Sequence, residues 1–328
     1  MIITRTPLRV SFAGGGTDLP SYYRAHGGGS VVSAAIDRYI YVLVNEKFDQ
    51  DIRVSYSRAA EYVSRVDDIK HPAVREALRM TGVDGSVEIV TISDIPAEGT
   101  GIGSSSAFAV GILNALWAFK GELKGPGELA EAACELEIGR LKETIGKQDQ
   151  YAAAFGGLHQ YEFRPDDSVG VHALPLSREE RERFEQHFAL YYTGVTRSAG
   201  KVLQEQDRRT GTGENLAALD RIREMSGETR KAILARDFER VGRLLDEAWT
   251  LKKGLANGIT NSVLDRMYSA VMAAGAWGGK VTGAGGGGFL LVAAPREKRV
   301  QVEQALSGHR HLPVHISTEG SRIVFVGR

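Results

Sequence analysis

The sequence has a single cysteine, Cys134, so no disulfide can form within the chain, and the expected compartment is the reducing cytoplasm. It has no surplus of charge: 41 Lys and Arg stand against 41 Asp and Glu, a formal net charge of zero. Without a basic excess nothing drives counterion release on nucleic acid, so no nucleic-acid partner is expected. With 42% hydrophobic residues and no net charge, the composition is not that of a disordered chain. The longest apolar stretch, Ala107 to Phe119, is interrupted by Asn114 and falls short of the ~20 residues a membrane span needs. Met1 to Pro7 offer neither the apolar core nor the cleavage site of a secretion signal. The expectation is a soluble cytoplasmic globular protein, a monomer or homodimer, with no membrane partner.

Glycine is what the chain has in excess: 39 of 328 residues, about 12% against a usual ~7%. The glycines gather in four places, Gly14 to Gly16, Gly27 to Gly29, Gly99/Gly101/Gly103, and Gly283 with Gly285 to Gly288. Such clusters mark either tight turns or places where backbone approaches a ligand closely.

Apolar patterning gives each cluster a setting. Strands are expected at Ile2 to Phe12, Ser30 to Ile36, Tyr39 to Phe48 and Val87 to Ile92, then a buried helix from Ser104 to Phe119. Gly125-Pro126-Gly127 breaks the chain before an amphipathic helix, Glu128 to Leu141. A strand pair (Gly157 to Phe163, Val169 to Leu174), a polar helix (Arg178 to Gln186) and a strand (Phe188 to Thr193) follow. Asn215 to Lys253 reads as helical, with Phe238, Val241, Leu244, Leu245 and Ala248 in one stripe. A helix over Asn261 to Ala274 precedes the last glycines, and the remainder reads strand, helix, strand (Gly288 to Ala294, Arg296 to Leu306, Arg322 to Val326). The fold class is α+β in two domains, divided as 1–183 and 184–328.

The segment Gly99-Thr100-Gly101-Ile102-Gly103-Ser104-Ser105-Ser106 stands before a helix, where backbone N–H groups and the helix dipole favour an anion. A plain helix cap needs one serine, not three behind three alternating glycines. Familiar nucleotide motifs fail. Walker A is absent, because Gly279-Lys280 is followed by Val281. Gly283 to Gly288 satisfies G-x-G-x-x-G but leads into the strand-like Phe289 to Ala294, whereas a dinucleotide fingerprint opens a helix. The protein-kinase triplets H-R-D and D-F-G are missing.

Three segments in order, Pro7 to Asp18, Gly99 to Ala107 and Gly278 to Gly288, resemble the three motifs of the GHMP small-molecule kinases. The resemblance implies an N-terminal domain related to ribosomal protein S5, with a left-handed βαβ unit, and a ferredoxin-like C-terminal domain. It also implies ATP and Mg2+ as cofactors. ATP would be held by Gly99, Gly101, Ile102, Gly103, Ser104, Ser105 and Ser106, with Gly285 and Gly286 approaching from the other domain. Asp149 in Gly146-Lys147-Gln148-Asp149-Gln150 is similar to the family's catalytic aspartate, and Arg9 to a basic residue near the transferred phosphate. Ser105 and Glu137 are the implied metal ligands, with Glu135 as the alternative carboxylate. Gly16, Thr17, Asp18 and Arg197 are the implied sugar contacts. Arg24, Arg38, Arg197 and Lys201 are candidates for holding a second phosphate on the sugar. The galactokinase Glu-His pair is missing after Gly16. The first motif resembles instead the branch acting on D-glycero-D-manno-heptose 7-phosphate, with L-fucokinase close by. A non-catalytic sugar or nucleotide sensor is the alternative from another class. His309, His311 and His315 read as loop residues without zinc spacing, and Gly27 to Gly29 as a turn.

Overall fold

The computed structural model describes residues 1–56, 59–95, 99–196 and 199–327. The N-terminal half runs β1 (Ile2–Ala13), α1 (Pro20–Tyr23), β2 (Gly29–Glu46), β3 (Ile52–Tyr56), β4 (Ala59–Val63), α2 (Pro72–Thr81), β5 (Val87–Ser93) and α3 (Ser104–Phe119). It continues with α4 (Pro126–Cys134), a π turn over Glu135–Arg140, α5 (Gln148–Phe155), β6 (Leu158–Phe163) and β7 (Val169–Ala173). The second half holds α6 (Arg178–Glu185), β8 (Phe188–Tyr192), α7 (Ala199–Gly211), α8 (Leu216–Leu234), α9 (Phe238–Lys252) and α10 (Ser262–Ala273). After these come β9 (Gly278–Val281), β10 (Phe289–Ala293), α11 (Arg299–Ala305), β11 (His311–Pro313) and β12 (Arg322–Val326).

The strands form two sheets among the described residues. The larger has the order β12-β1-β2-β5-β3-β4, with β6 on β2 and β7 on β6, and only the β3–β5 pair is parallel. The smaller is antiparallel in the order β11-β8-β10-β9, which is the 4-1-3-2 order of a ferredoxin-like βαββαβ unit. The last strand, β12, pairs with β1, so the first sheet contains residues from the far end of the chain. Edge-to-face packing joins the sheets: the ring of Phe12 on β1 lies 5.3 Å from Phe184 and 5.1 Å from Phe188.

Helix α3 is apolar on nearly every side because it packs on both β1 and β2 in the core. Where two strands were expected at Ser30 to Phe48, the structure has the single strand β2. Its register against β1 slips between Pro7 and Leu8, which pair with Tyr39 and Ile36. Pro7 has no N–H to give the ladder, and a bulge there lets the strand continue. The helical run from Asn215 to Lys253 is broken at Ala235 to Asp237, where Arg236 turns to φ 61° and Asp237 caps α9 through Arg240 N at 3.0 Å. Helices α1, α2, α5 and α7 and strands β3, β4, β9 and β11 had no sequence counterpart, and His311, expected in a loop, stands on β11 paired with Tyr191. Gly27 to Gly29 form a turn into β2, Gly28 N donating to Tyr23 O at 3.0 Å. Among the described residues no helix is long and apolar enough to cross a membrane.

Candidate active site

A cavity of about 580 Å3 opens between the two halves. One wall comes from the loop after β1, the segment entering α3 and the start of α5; the other from α7, the end of α9 and the turn between β9 and β10.

The segment entering α3 lines the cavity with Gly99, Gly101, Gly103, Ser104, Ser105 and Ser106. Gly103 takes a left-handed φ of 79°, and no side chain caps the helix. The first-turn N–H groups therefore have no intrahelical acceptor, and they carry the positive end of the dipole. Ile102 does not line the cavity: it is wholly buried, and its carbonyl accepts Arg9 N at 2.9 Å. Gly101 is pressed by the opposite wall, since a Cβ there would sit 2.7 Å from the carbonyl oxygen of Thr282. In that opposing turn Gly285 lines the cavity. Gly286 does not, because its N–H donates to Ile259 O at 2.7 Å and its carbonyl accepts from Asn261 Nδ2 at 3.3 Å.

Arg9 on β1 and Asp149 on α5 meet in a two-pronged ion pair, Nε to Oδ1 at 2.7 Å and Nη2 to Oδ2 at 2.6 Å. The third nitrogen, Nη1, donates to Gly101 O at 2.9 Å, so one guanidinium ties the carboxylate to the loop. Asp149 stands in the first turn of α5, whose N-cap, Lys147, makes no side-chain cap bond. Asp18 also lines the cavity, its Oδ1 accepting Gly16 N at 3.0 Å and its Oδ2 accepting Gln148 N at 3.3 Å. Burial, and secondarily the Asp149 charge, raise its pKa above the ordinary carboxylate value, against those two backbone bonds. Gly16 lines the cavity beside it. Thr17 does not: it is buried beneath the loop, its hydroxyl donating to Gly14 O at 2.8 Å and Ser30 O at 3.1 Å. Arg197 lies outside the described residues, and its neighbour Thr196 lines the cavity. Arg24 pairs with Asp167 and Arg38 with Asp37, and neither lines the cavity, nor does Lys201.

Behind the serines lies Glu137. Its Oε1 accepts Ser105 Oγ at 2.9 Å, and its Oε2 accepts Ser106 Oγ at 2.7 Å and Gln150 Nε2 at 2.6 Å. Burial pushes its pKa up to about 7, against the three hydrogen bonds that favour the charged form. The expected single helix over Glu128 to Leu141 changes at Glu135 into a π turn, closed by Leu141 N to Leu136 O at 3.0 Å. The extra residue in that turn rotates Glu137 inward and leaves Glu135 exposed beside Arg140. Among the described residues no three His, Cys, Asp or Glu side chains converge as metal ligands. His309, His311 and His315 do not meet: His309 Nδ1 is 3.0 Å from Tyr192 O, His311 packs on Tyr191, and His315 Nδ1 is 3.0 Å from Glu185.

Two family models match the chain, GHMP kinases N terminal domain over residues 61–157 and GHMP kinases C terminal over residues 229–310. A D-glycero-alpha-D-manno-heptose 7-phosphate kinase of Campylobacter jejuni is 31% identical over 319 residues, 93% of each chain. The chain belongs to the GHMP kinase family. An L-fucokinase/L-fucose-1-P guanylyltransferase of Bacteroides fragilis is 27% identical across 92% of this GHMP kinase and 36% of its own length. The crystal structure of a D-glycero-D-manno-heptose 1-phosphate kinase from Bacteroides thetaiotaomicron superposes with a TM-score of 0.83 at 26% identity, covering 100% of both chains. The Lactococcus lactis galactokinase shares the fold, with a TM-score of 0.76 at 19% identity over 98% of this chain and 94% of its own. As a member of the family, this GHMP kinase is an ATP-dependent phosphotransferase.

Four groups of the kinase's cavity escaped the sequence reading. Lys252, the last residue of α9, lines it and donates to Gly283 O. Lys280 on β9 lies just behind, its Nζ 3.0 Å from Ser11 Oγ. Lys252 had a signal: it stands four residues after Ala248 and so extends the buried stripe of α9. Gln148 and Gln206 also line the kinase's cavity, and two of their buried side-chain atoms, Gln148 Oε1 and Gln206 Nε2, have no hydrogen-bond partner. The Gln206 amide lies so close to Gly16 that a Cβ on that glycine would be 2.5 Å from Nε2.

Proposed function

We propose that this kinase transfers the γ-phosphoryl group of ATP to the anomeric hydroxyl of D-glycero-D-manno-heptose 7-phosphate, giving the 1,7-bisphosphate for GDP-heptose and surface polysaccharide synthesis in the cytoplasm. The observation that carries this reading is the Arg9–Asp149 pair set beside the uncapped start of α3 on one wall of the cavity. The cavity fits both partners of such a transfer. The uncapped amides and serine hydroxyls of α3 suit a polyphosphate, and the unpartnered Gln148 Oε1 and Gln206 Nε2 suit a sugar's hydroxyls. The name of the Campylobacter relative supports the heptose 7-phosphate acceptor and the 7-phosphate as a part of the substrate. We assign residues 1–183 to the nucleotide- and sugar-binding domain and residues 184–328 to its partner domain.

In this reading Asp149 faces the attacking hydroxyl, orients it and takes its proton as the new O–P bond forms and the bond to the leaving ADP oxygen breaks. Arg9 holds the carboxylate in place, and Asp18 accepts hydrogen bonds from neighbouring sugar hydroxyls. The α3 terminus stabilises charge on the phosphates. Ser105 and Glu137 supply adjoining hard oxygen donors that fit Mg2+, which when bound would offset phosphate charge.

The test is a coupled ADP-release assay with heptose 7-phosphate, unphosphorylated heptose, L-fucose and galactose. The expected result is turnover on heptose 7-phosphate with loss of the reducing end. Preference for L-fucose, in line with the Bacteroides fragilis relative, would replace the acceptor but keep the reaction. Nucleotide binding without ADP release from any sugar would point to a sensor.

A further inference from the structure

Phosphoryl transfer needs a cation against the transferred group, and in this cavity the charge of Arg9 is paired with Asp149. Its Nε, Nη1 and Nη2 each donate to a protein acceptor. Lys280, 4% exposed, is absent from the cavity lining. Lys252 is different. It lines the cavity, and of the three donors an ammonium carries, one is used, on the carbonyl of Gly283. That carbonyl belongs to the turn pressed on the phosphate loop, since a Cβ on Gly283 would lie 2.7 Å from Gly101 Cα. Lys252 therefore sits where the second half of the chain meets the loop.

From these placements we propose that Lys252 is a catalytic residue that donates to the terminal phosphoryl group of ATP during transfer. The inference rests on the reading of this cavity as the nucleotide site.

The surrounding charges support it. Arg9 from β1, Asp18 from the loop after it, Asp149 from α5 and Lys280 from β9 are the charged groups around Lys252. Three cations thus stand near two carboxylates, and one of those carboxylates is bound by Arg9. Burial first, then Arg9, pull the Lys252 pKa down to about 8, and burial with Lys252 and Arg9 pulls that of Lys280 well below its ordinary value. A desolvated, under-paired ammonium of this kind is relieved by an arriving polyanion. The sign follows. Below pH 8 the group is charged and donates; as pH rises through about 8 it loses its proton and the attraction fades.

The test uses calorimetry on the full chain with ADP and with the non-hydrolysable imido analogue of ATP, from pH 7 to 9.5. For the unaltered kinase the analogue should lose affinity through about pH 8 more steeply than ADP. Lys252→Met should weaken the analogue about tenfold or more, leave ADP within about twofold, and abolish the difference in pH dependence. Lys252→Arg should restore analogue binding with no loss up to pH 9.5, and it serves alone should the methionine variant not fold. In the coupled assay, kcat of Lys252→Met should fall roughly 10²–10³-fold. Equal losses for both nucleotides, or an unchanged ratio with the same pH limb, would overturn the proposal. Failure of the unaltered kinase to bind either nucleotide would remove the nucleotide reading of the cavity and the proposal with it.

Discussion

The wall built from β1, the phosphate loop and α5 presents charges whose hydrogen bonds are already made inside the protein: Arg9 with Asp149, Asp18 with two backbone amides. The facing wall presents Lys252, with Lys280 just behind it, each with one neutral acceptor, Gly283 O and Ser11 Oγ. The first wall is fixed in geometry before a ligand arrives, as suits groups that must aim at a hydroxyl. The second holds desolvated charge that lacks a counterion, as suits groups that meet phosphate. One cavity therefore separates orientation from attraction by placing them on different halves of the chain.

Three substitutions probe this contrast, in descending order of expected effect. Asp149→Asn removes the carboxylate charge, and with it the proton acceptor, from the first wall. In the coupled assay kcat should fall by roughly 10²–10⁴-fold, while calorimetry finds ADP binding retained; unaltered turnover would mean that this wall does not touch the reacting hydroxyl. Gly101→Ala acts where the walls touch, at φ 69° and under the Thr282 carbonyl. Urea denaturation should lose roughly 1–3 kcal/mol, with a raised KM for ATP, and a native-like midpoint would show that the seam yields at no cost. Ser105→Ala is the mildest, because Ser106 and Gln150 still hold Glu137. The Mg2+ concentration for half-maximal rate should rise about 2- to 10-fold with kcat at saturation preserved, and a flat Mg2+ titration would remove Ser105 from the metal site.

The saturated wall was the legible one. Its residues sit in short contiguous segments that resemble the family's motifs, so Arg9, Asp18, Ser105 and Asp149 could be named from the order of residues alone. The other wall is assembled from separate elements: Gln206 on α7 and Lys252 on α9 fall in no motif, and Lys280 on β9 stands inside the third motif without a role that the motif assigns. A lysine also reads as surface by default, and only its position in the α9 stripe argues otherwise. Periodicity located α3 and most strands because burial dictates their pattern. It missed the junction at Ala235 to Asp237, where a single left-handed arginine divides two helices of similar pattern, and the π turn at Glu135, which breaks the 3.6-residue count. Arg24 and Arg38 attracted attention as free charge in the sequence, but Asp167 and Asp37 neutralise them in the fold.

The pairing of β12 with β1 has a bearing on biosynthesis. Strand β1 carries Arg9 and Ser11, yet the register of Ile2 with Val326 and Arg5 with Arg322 cannot form until a ribosome has passed residue 326. Until then that side of β1 is an open edge, available to other nascent chains. Such a long-range closure is slow to find by diffusion of the chain. Recovery from denaturant should accordingly regain sheet signal from β1 and β2 before the edge closes, and removing residues 322–326 would show itself first as aggregation during expression.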